Sequence, residues 1–234
     1  MEEKKMTVIE HLEELRIRII ISLVSILVLS IGGYFFAAEK IMHILAAPLG
    51  GYKLVFLTPS EGFVTYIQVS LAAGLIMASP IVLSQIWGFI APALTSSEKK
   101  YAYFFIPLII IFFCTGVLMA TYYVLPTGVK FLLNFSTKDL EPMLSVSNYF
   151  SFALSVIVSC GVVFELPLVA LLLGKIGIIN SVMLGRIRKY AILVSFIIAA
   201  IITPSVDMFT QLLVGIPIIC LFEASIILLK IFRL

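Results

Sequence analysis

The chain has 234 residues, of which 62% are hydrophobic and 12% charged, and its mean hydropathy is +1.18. Soluble domains run about 45–50% apolar and about 25% charged, so a soluble globular domain is excluded and one integral-membrane bundle without a soluble domain is expected. The net charge of +3 is small and calls for no nucleic-acid partner.

The first 17 residues read as a separate interfacial amphipathic helix. Thr7 and Glu10 have capping-box spacing. Val8, Leu12, Leu15 and Ile19 fall on one helical face, while Glu10 and Glu14 fall on another, with Arg18 one turn beyond Glu14. The apolar run from Ile19 to Ala38 is longer than the core of a cleaved signal, about 7–15 residues, and reads as a retained first span. Six spans follow from the hydropathy pattern, at 18–38, 63–91, 101–125, 149–174, 189–203 and 208–229. About 20 helical residues cross a hydrocarbon core of about 30 Å. The second and fourth spans exceed that length and carry Pro80 and Pro167 as kink sites, and the third has Pro107 near its start. The fifth has only 14 residues between Lys189 and Pro204. The sixth is interrupted by Gln211, Pro217 and Glu223, so the last two helices read as short.

Twelve of the 16 Lys and Arg residues fall on the side that holds both termini. That side is therefore cytoplasmic. The two longer segments on the other side, 39–62 and 126–148, contain Pro, Gly and aromatic residues suited to a packed cap. Cys114, Cys160 and Cys220 lie in apolar stretches with no metal-ligand or CxxC spacing and read as buried hydrophobes. The whole chain, 1–234, reads as one domain: an all-α membrane protein of six transmembrane helices.

The polar residues that stand out are few. Glu165 sits in the middle of the apolar stretch Tyr149 to Gly174, where a carboxyl group costs about 2.5–3.5 kcal/mol on insertion scales. It is either satisfied by a neighbouring helix or used. Glu10, Glu13, Glu14 and Glu98 are acids on a basic face, which suits a cationic ligand, because carboxylates grip guanidinium groups bidentately. Two of them also have a plainer role: Glu14 as the partner of Arg18, Glu98 as a favourable charge at the start of the third span. Asp207 is either an N-cap or a functional acid, and Gln211 can hydrogen-bond a partner helix. His11 reads as an interfacial residue. No catalytic motif, phosphate-binding loop or dinucleotide fingerprint is present, so neither enzyme nor cofactor nor metal site is expected.

In chain order these features resemble the TatC family, the multi-span signal-peptide receptor subunit of the twin-arginine protein translocase. The resemblance is carried by His11-Leu12-Glu13-Glu14-Leu15-Arg16-Ile17-Arg18, Leu57-Thr58-Pro59-Ser60-Glu61-Gly62-Phe63 and Gln85-Ile86-Trp87-Gly88-Phe89-Ile90-Ala91-Pro92-Ala93-Leu94 with Glu98-Lys99-Lys100. Phe164-Glu165-Leu166-Pro167, Ile202-Thr203-Pro204 with Asp207, and Pro217 through Cys220-Leu221-Phe222-Glu223 complete it. It implies binding of Arg-Arg signal peptides of folded cargo, with Glu14 and Glu98 facing the arginines and Arg16 and Phe89 shaping the site. It makes Glu165 an intramembrane acid facing a concave cavity and Asp207 a polar outer-end residue. Gln211 becomes a docking position for single-span partners of the TatA and TatB type. It further implies an oligomeric complex in a bacterial-type cytoplasmic membrane, driven by the proton gradient. Two departures stand: Glu13 beside Glu14 offers a second acid, and one extra residue separates Pro204 from Asp207. The competing classes are a proton-coupled secondary transporter using Glu165, which paired broken helices and internal repeats would favour, and a scaffold that only gathers other subunits.

Overall fold

The computed structural model describes residues 8–90, 99–134, 142–203 and 207–232; Thr7, Glu98 and Pro204 lie outside them. Among the described residues the chain is almost wholly helical: α1 (Val8–Phe36), α2 (Ala38–Ala46), β1 (Leu54–Val55), α3 (Glu61–Ile90), α4 (Lys99–Met119), α5 (Leu125–Leu133), β2 (Leu144–Ser145), α6 (Val146–Val163), α7 (Leu166–Lys175), α8 (Ser181–Arg186), α9 (Arg188–Ile202) and α10 (Met208–Ile231). Five helical stretches among the described residues are long and apolar enough to cross a bilayer: Ile9–Phe36, Glu61–Phe89, Ile106–Leu133, Val146–Lys175 and Met208–Ile231.

Several boundaries differ from those expected. No break separates the N-terminal amphipathic segment from the first span, because α1 runs unbroken for 29 residues. The third helical stretch extends past residue 125. A π turn over Ala120–Val124, in which the Leu125 N–H reaches back to the Ala120 carbonyl, joins α4 to α5 just ahead of Pro126. That wider turn lets the chain pass a proline that lacks a donor. The fourth stretch is broken at Phe164–Glu165, where Pro167 in the first turn of α7 leaves the α6 ladder without its next donor. The expectation that both last helices are short holds for α9, with 15 residues, but not for α10, with 24. Polar side chains at positions 211 and 223 do not interrupt a backbone ladder, and Pro217 removes only one donor from it.

Close helix contacts depend on small residues, as expected where lipid supplies no competing drive for burial. The N-terminal half of α1 lies beside the C-terminal half of α3, and α1 packs along α3 for most of its length. Along this antiparallel seam Ser30 meets Gly74 and Gly33 meets Ser70 and Ala73. Gly116 on α4 likewise lies against the Cys160 carbonyl and Phe164. The main apolar core, with Leu45, Val69, Leu125, Phe150 and Val156, lies at the end where α1 turns into α2. Described parts of the two longer segments meet at that end. The strands β1 and β2 pair in parallel with Leu54 opposite Leu144, and the Tyr149 hydroxyl donates to the Leu45 carbonyl. Glu61 Oε2 accepts hydrogen bonds from the Leu57 N–H at 3.2 Å and the Ser145 hydroxyl at 3.3 Å. Gly50 (φ 61°) and Gly51 (φ 106°) make the reversal leading into β1, a conformation that side chains resist. A second cluster, Trp87, Ile109, Leu168, Leu171 and Leu172, packs at the opposite end of α3.

Candidate functional site

At the other end of the α1–α3 seam, His11, Glu14 and Arg18 project from α1 at three- and four-residue intervals, one stripe of a 3.6-residue helix. Arg18 donates to Glu14 Oε1 from Nε at 2.9 Å and from Nη2 at 2.6 Å. Its Nη1 reaches α3, where it meets the Gln85 side-chain oxygen at 3.2 Å and the Gln85 carbonyl at 3.5 Å. Room for the guanidinium comes from Gly88, where a Cβ would stand 2.2 Å from Nη1. The Glu14 and Arg18 side chains are 20% and 25% exposed. The pair is thus better shielded than a surface salt bridge, whose usual worth is about 0–1 kcal/mol. Glu14 Oε2 is shielded from solvent and accepts no hydrogen bond among the described residues; His11 Nδ1 lies 3.6 Å from it. The His11 ring stacks on Phe89 of α3, with centroids 4.2 Å apart and planes 7° from parallel.

The structure therefore brings Glu14 and Phe89 to one place and leaves Arg16 out of it. Arg16 is exposed, since two residues along a helix turn the side chain about 200° away from Glu14. Glu13 is exposed too, so Glu14 alone of the two acids faces α3. Arg18, Gln85 and His11 were not singled out as site residues. The spacing of His11 and Arg18 around Glu14 was a usable signal, whereas nothing in the sequence ties either to Gln85 or Phe89.

A second feature lies deeper. A cavity of about 300 Å³ opens among α3, α4, α6 and α7. Its walls are apolar (Leu83, Ile109, Phe113, Val162, Leu172) except for Ser79, Trp87 and Glu165. Glu165 sits at the α6–α7 break, is 8% exposed, and its Oε1 has no hydrogen-bond partner of good geometry among the described residues. Its backbone does the local work instead: the Glu165 carbonyl accepts from the Leu168 and Val169 N–H groups at 3.0 and 2.9 Å. The hydropathy pattern places this acid mid-span and the family resemblance implies a cavity before it, while the gap itself is made by four helices.

Asp207 is the N-cap of α10. Its Oδ1 accepts from the Thr210 N–H at 2.7 Å, and the Thr210 hydroxyl donates to its Oδ2. Gln211 lies half-buried in the first turn of the same helix. Beside it α9 packs on α10 through Phe196 and Ala199 against Gly215 and exposes Ile192, Leu193, Ile197 and Ile201. At the far end Arg188 Nη2 meets Glu223 Oε2 at 2.8 Å, tying α9 to α10.

The family model for Sec-independent protein translocase protein (TatC) matches residues 10–217. The chain belongs to the TatC family. It is 43% identical to the TatC protein of Carboxydothermus hydrogenoformans over 98% of this chain and 95% of that protein. It is 44% identical to that of Aquifex aeolicus over 96% of this chain and 95% of that protein. A crystal structure of the twin-arginine translocase receptor TatC superposes with a TM-score of 0.88 at 42% identity, covering 96% of this chain and all of that one. The apolar helices and this kinship make the chain a multi-pass membrane protein of protein transport, a component of the TatC translocase system.

Proposed function

We propose that this chain is the subunit that receives Arg-Arg signal peptides of folded cargo at the cytoplasmic face of a bacterial-type inner membrane. It then organises TatA-type and TatB-type partners in an oligomeric complex for export driven by the proton gradient. The observation that carries the reading is the Glu14 site. A carboxylate held at the α1–α3 seam already binds one guanidinium, that of Arg18, and an aromatic face, Phe89, stands beside it. A planar guanidinium suits both surfaces, and a lysine ammonium suits neither as well. Glu98 supplies the second acid in this proposal; it falls outside the described residues.

In the same proposal the chain spans the bilayer six times, α9 included. With 15 residues, α9 is about 22 Å long, so the membrane thins beside it. Both termini face the cytoplasm, as the Lys and Arg distribution requires, and the bundle is concave around the Glu165 cavity. The apolar outer face of α9, with Gln211 at the start of α10, docks the partner helices. The cavity favours this reading over a solute transporter, since a hydrophilic solute would meet only Ser79, Trp87 and Glu165 among its apolar walls.

The test places a photo-crosslinking residue at Phe89 in the full chain in nanodiscs, with an Arg-Arg signal peptide as probe. Crosslinking that falls in Glu14→Gln and in Glu98→Gln supports the clamp. Crosslinking unaffected by both substitutions removes it.

A further inference from the structure

We propose that His11 is a displaceable plug, its imidazole filling the slot between the Phe89 ring and Oε2 of Glu14 where the signal-peptide reading seats one guanidinium. The inference rests on the signal-peptide reading above. Two independent features of Glu14 point to an incoming donor. Oε1 is saturated by two charge-assisted hydrogen bonds from Arg18, whereas Oε2 is shielded from solvent and accepts none among the described residues. His11 does not supply the missing bond, because its Nδ1 stands 3.6 Å away, beyond hydrogen-bond range.

The shape of the plug identifies what it stands in for. The imidazole lies flat on Phe89, 4.2 Å away and within 7° of parallel, with one nitrogen edge toward the carboxylate. A guanidinium in the same place keeps the flat stack and turns two in-plane N–H groups toward Oε2. An ammonium has no face to stack, so the slot selects arginine over lysine. Displacement needs no change of fold. The His11 side chain is 42% exposed and can leave by rotating about its own χ angles. The walls come from different helices, Glu14 from α1 and Phe89 from α3, and stay where the seam holds them.

A plugged slot weakens peptide binding by the fraction of time it is open, so a slot open about 10% of the time costs about tenfold in affinity. The experiment titrates the full chain in nanodiscs with fluorescent Arg-Arg and Lys-Lys signal peptides, comparing wild type, His11→Ala and His11→Phe. His11→Ala is expected to tighten Arg-Arg binding about tenfold and to leave Lys-Lys binding nearly unchanged. His11→Phe keeps a flat ring in the slot and is expected to gain much less. In the wild-type protein, Arg-Arg peptide should speed modification of His11 by diethyl pyrocarbonate, read by mass spectrometry with His43 as internal reference. Selective Arg-Arg binding that His11→Ala leaves unchanged overturns the plug and keeps the receptor. Binding weakened by His11→Ala and restored by His11→Phe makes His11 a structural support and also overturns it, as does slower modification with peptide bound. If neither wild type nor His11→Ala prefers Arg-Arg, the receptor reading falls and the plug with it.

Discussion

Gly74→Ala puts a single methyl group into the α1–α3 seam and should cost more than most apolar substitutions in this chain. A Cβ at position 74 would stand 2.0 Å from the Ser30 hydroxyl oxygen, and 2.5 and 2.6 Å from the Ser30 backbone N and Cα. The hydroxyl can rotate aside; the backbone cannot. Carbon atoms pack at about 3.5–4.0 Å, so the helices must part locally by about 1 Å. A gap of 0.5–1 Å forfeits about a quarter to a half of each contact it opens. Lipid tails are as apolar as the seam and do not push the helices back together. Overpacking typically costs about 1–3 kcal/mol, against which the better helix propensity of alanine returns about 1 kcal/mol. Because two of the three contacts are to backbone, the upper half of that range applies, and the net loss of about 1–2 kcal/mol corresponds to a melting temperature lower by about 3–6 °C for a chain of this size. Gly32→Ala is the control, since a Cβ there meets nothing within 4 Å and should raise the melting temperature slightly. Adding Ser30→Gly to Gly74→Ala should recover little, because the contacts to backbone persist. The assay is thermal unfolding in detergent of the four proteins in parallel. A Gly74→Ala protein that melts at or above wild type, or is fully rescued by Ser30→Gly, would refute the backbone-contact argument.

Three further outcomes follow from the site geometry. Gly88→Ala meets only the flexible end of Arg18, so the melting temperature should hold within a few degrees while Arg-Arg peptide affinity changes; unchanged affinity would mean that Arg18 has no bearing on the site. Asp207→Ala should lose the α10 cap and about 1 kcal/mol, whereas Asp207→Asn should keep it, as read by melting temperature; an Asn variant as unstable as Ala would show that capping is not what Asp207 contributes. Glu165→Leu removes a carboxyl from an apolar cavity, so the protein should melt no lower than wild type and yet fail to export an Arg-Arg cargo in cells. Normal export by that variant would make Glu165 a passive wall residue.

Much of the fold was legible because bilayer thickness fixes how long an apolar run must be. The short α9 could be read from Lys189 and Pro204, which bound it. The hydropathy bounds of α10, 208–229, fall within two residues of Met208–Ile231; it reads as short only because Gln211, Pro217 and Glu223 break up its fully apolar run. Glu223 finds Arg188 across the helix pair, and Gln211 sits inside the first turn that Asp207 caps. The π turn over Ala120–Val124 is a backbone register event with no side-chain signature. At the site, the stripe of His11, Glu14 and Arg18 follows from helical spacing, and the same spacing excludes Arg16. Phe89 and Gln85 join that stripe only through the antiparallel packing of α3 on α1, which the Ser30–Gly74 contact sets and which no local pattern announces. The cavity beside Glu165 is a gap between the side chains of four helices, so hydropathy and spacing carry no sign of it and only the family resemblance implies one.

The most direct test of the central claim is equilibrium binding of an Arg-Arg signal peptide and its Lys-Lys counterpart to the purified full chain in nanodiscs, repeated with Glu14→Gln and Glu98→Ala. The account predicts selective Arg-Arg binding that falls at least tenfold when either acid is removed, about 1.4 kcal/mol. Equal binding of both peptides by well-folded protein, or selectivity that survives loss of both acids, would contradict it.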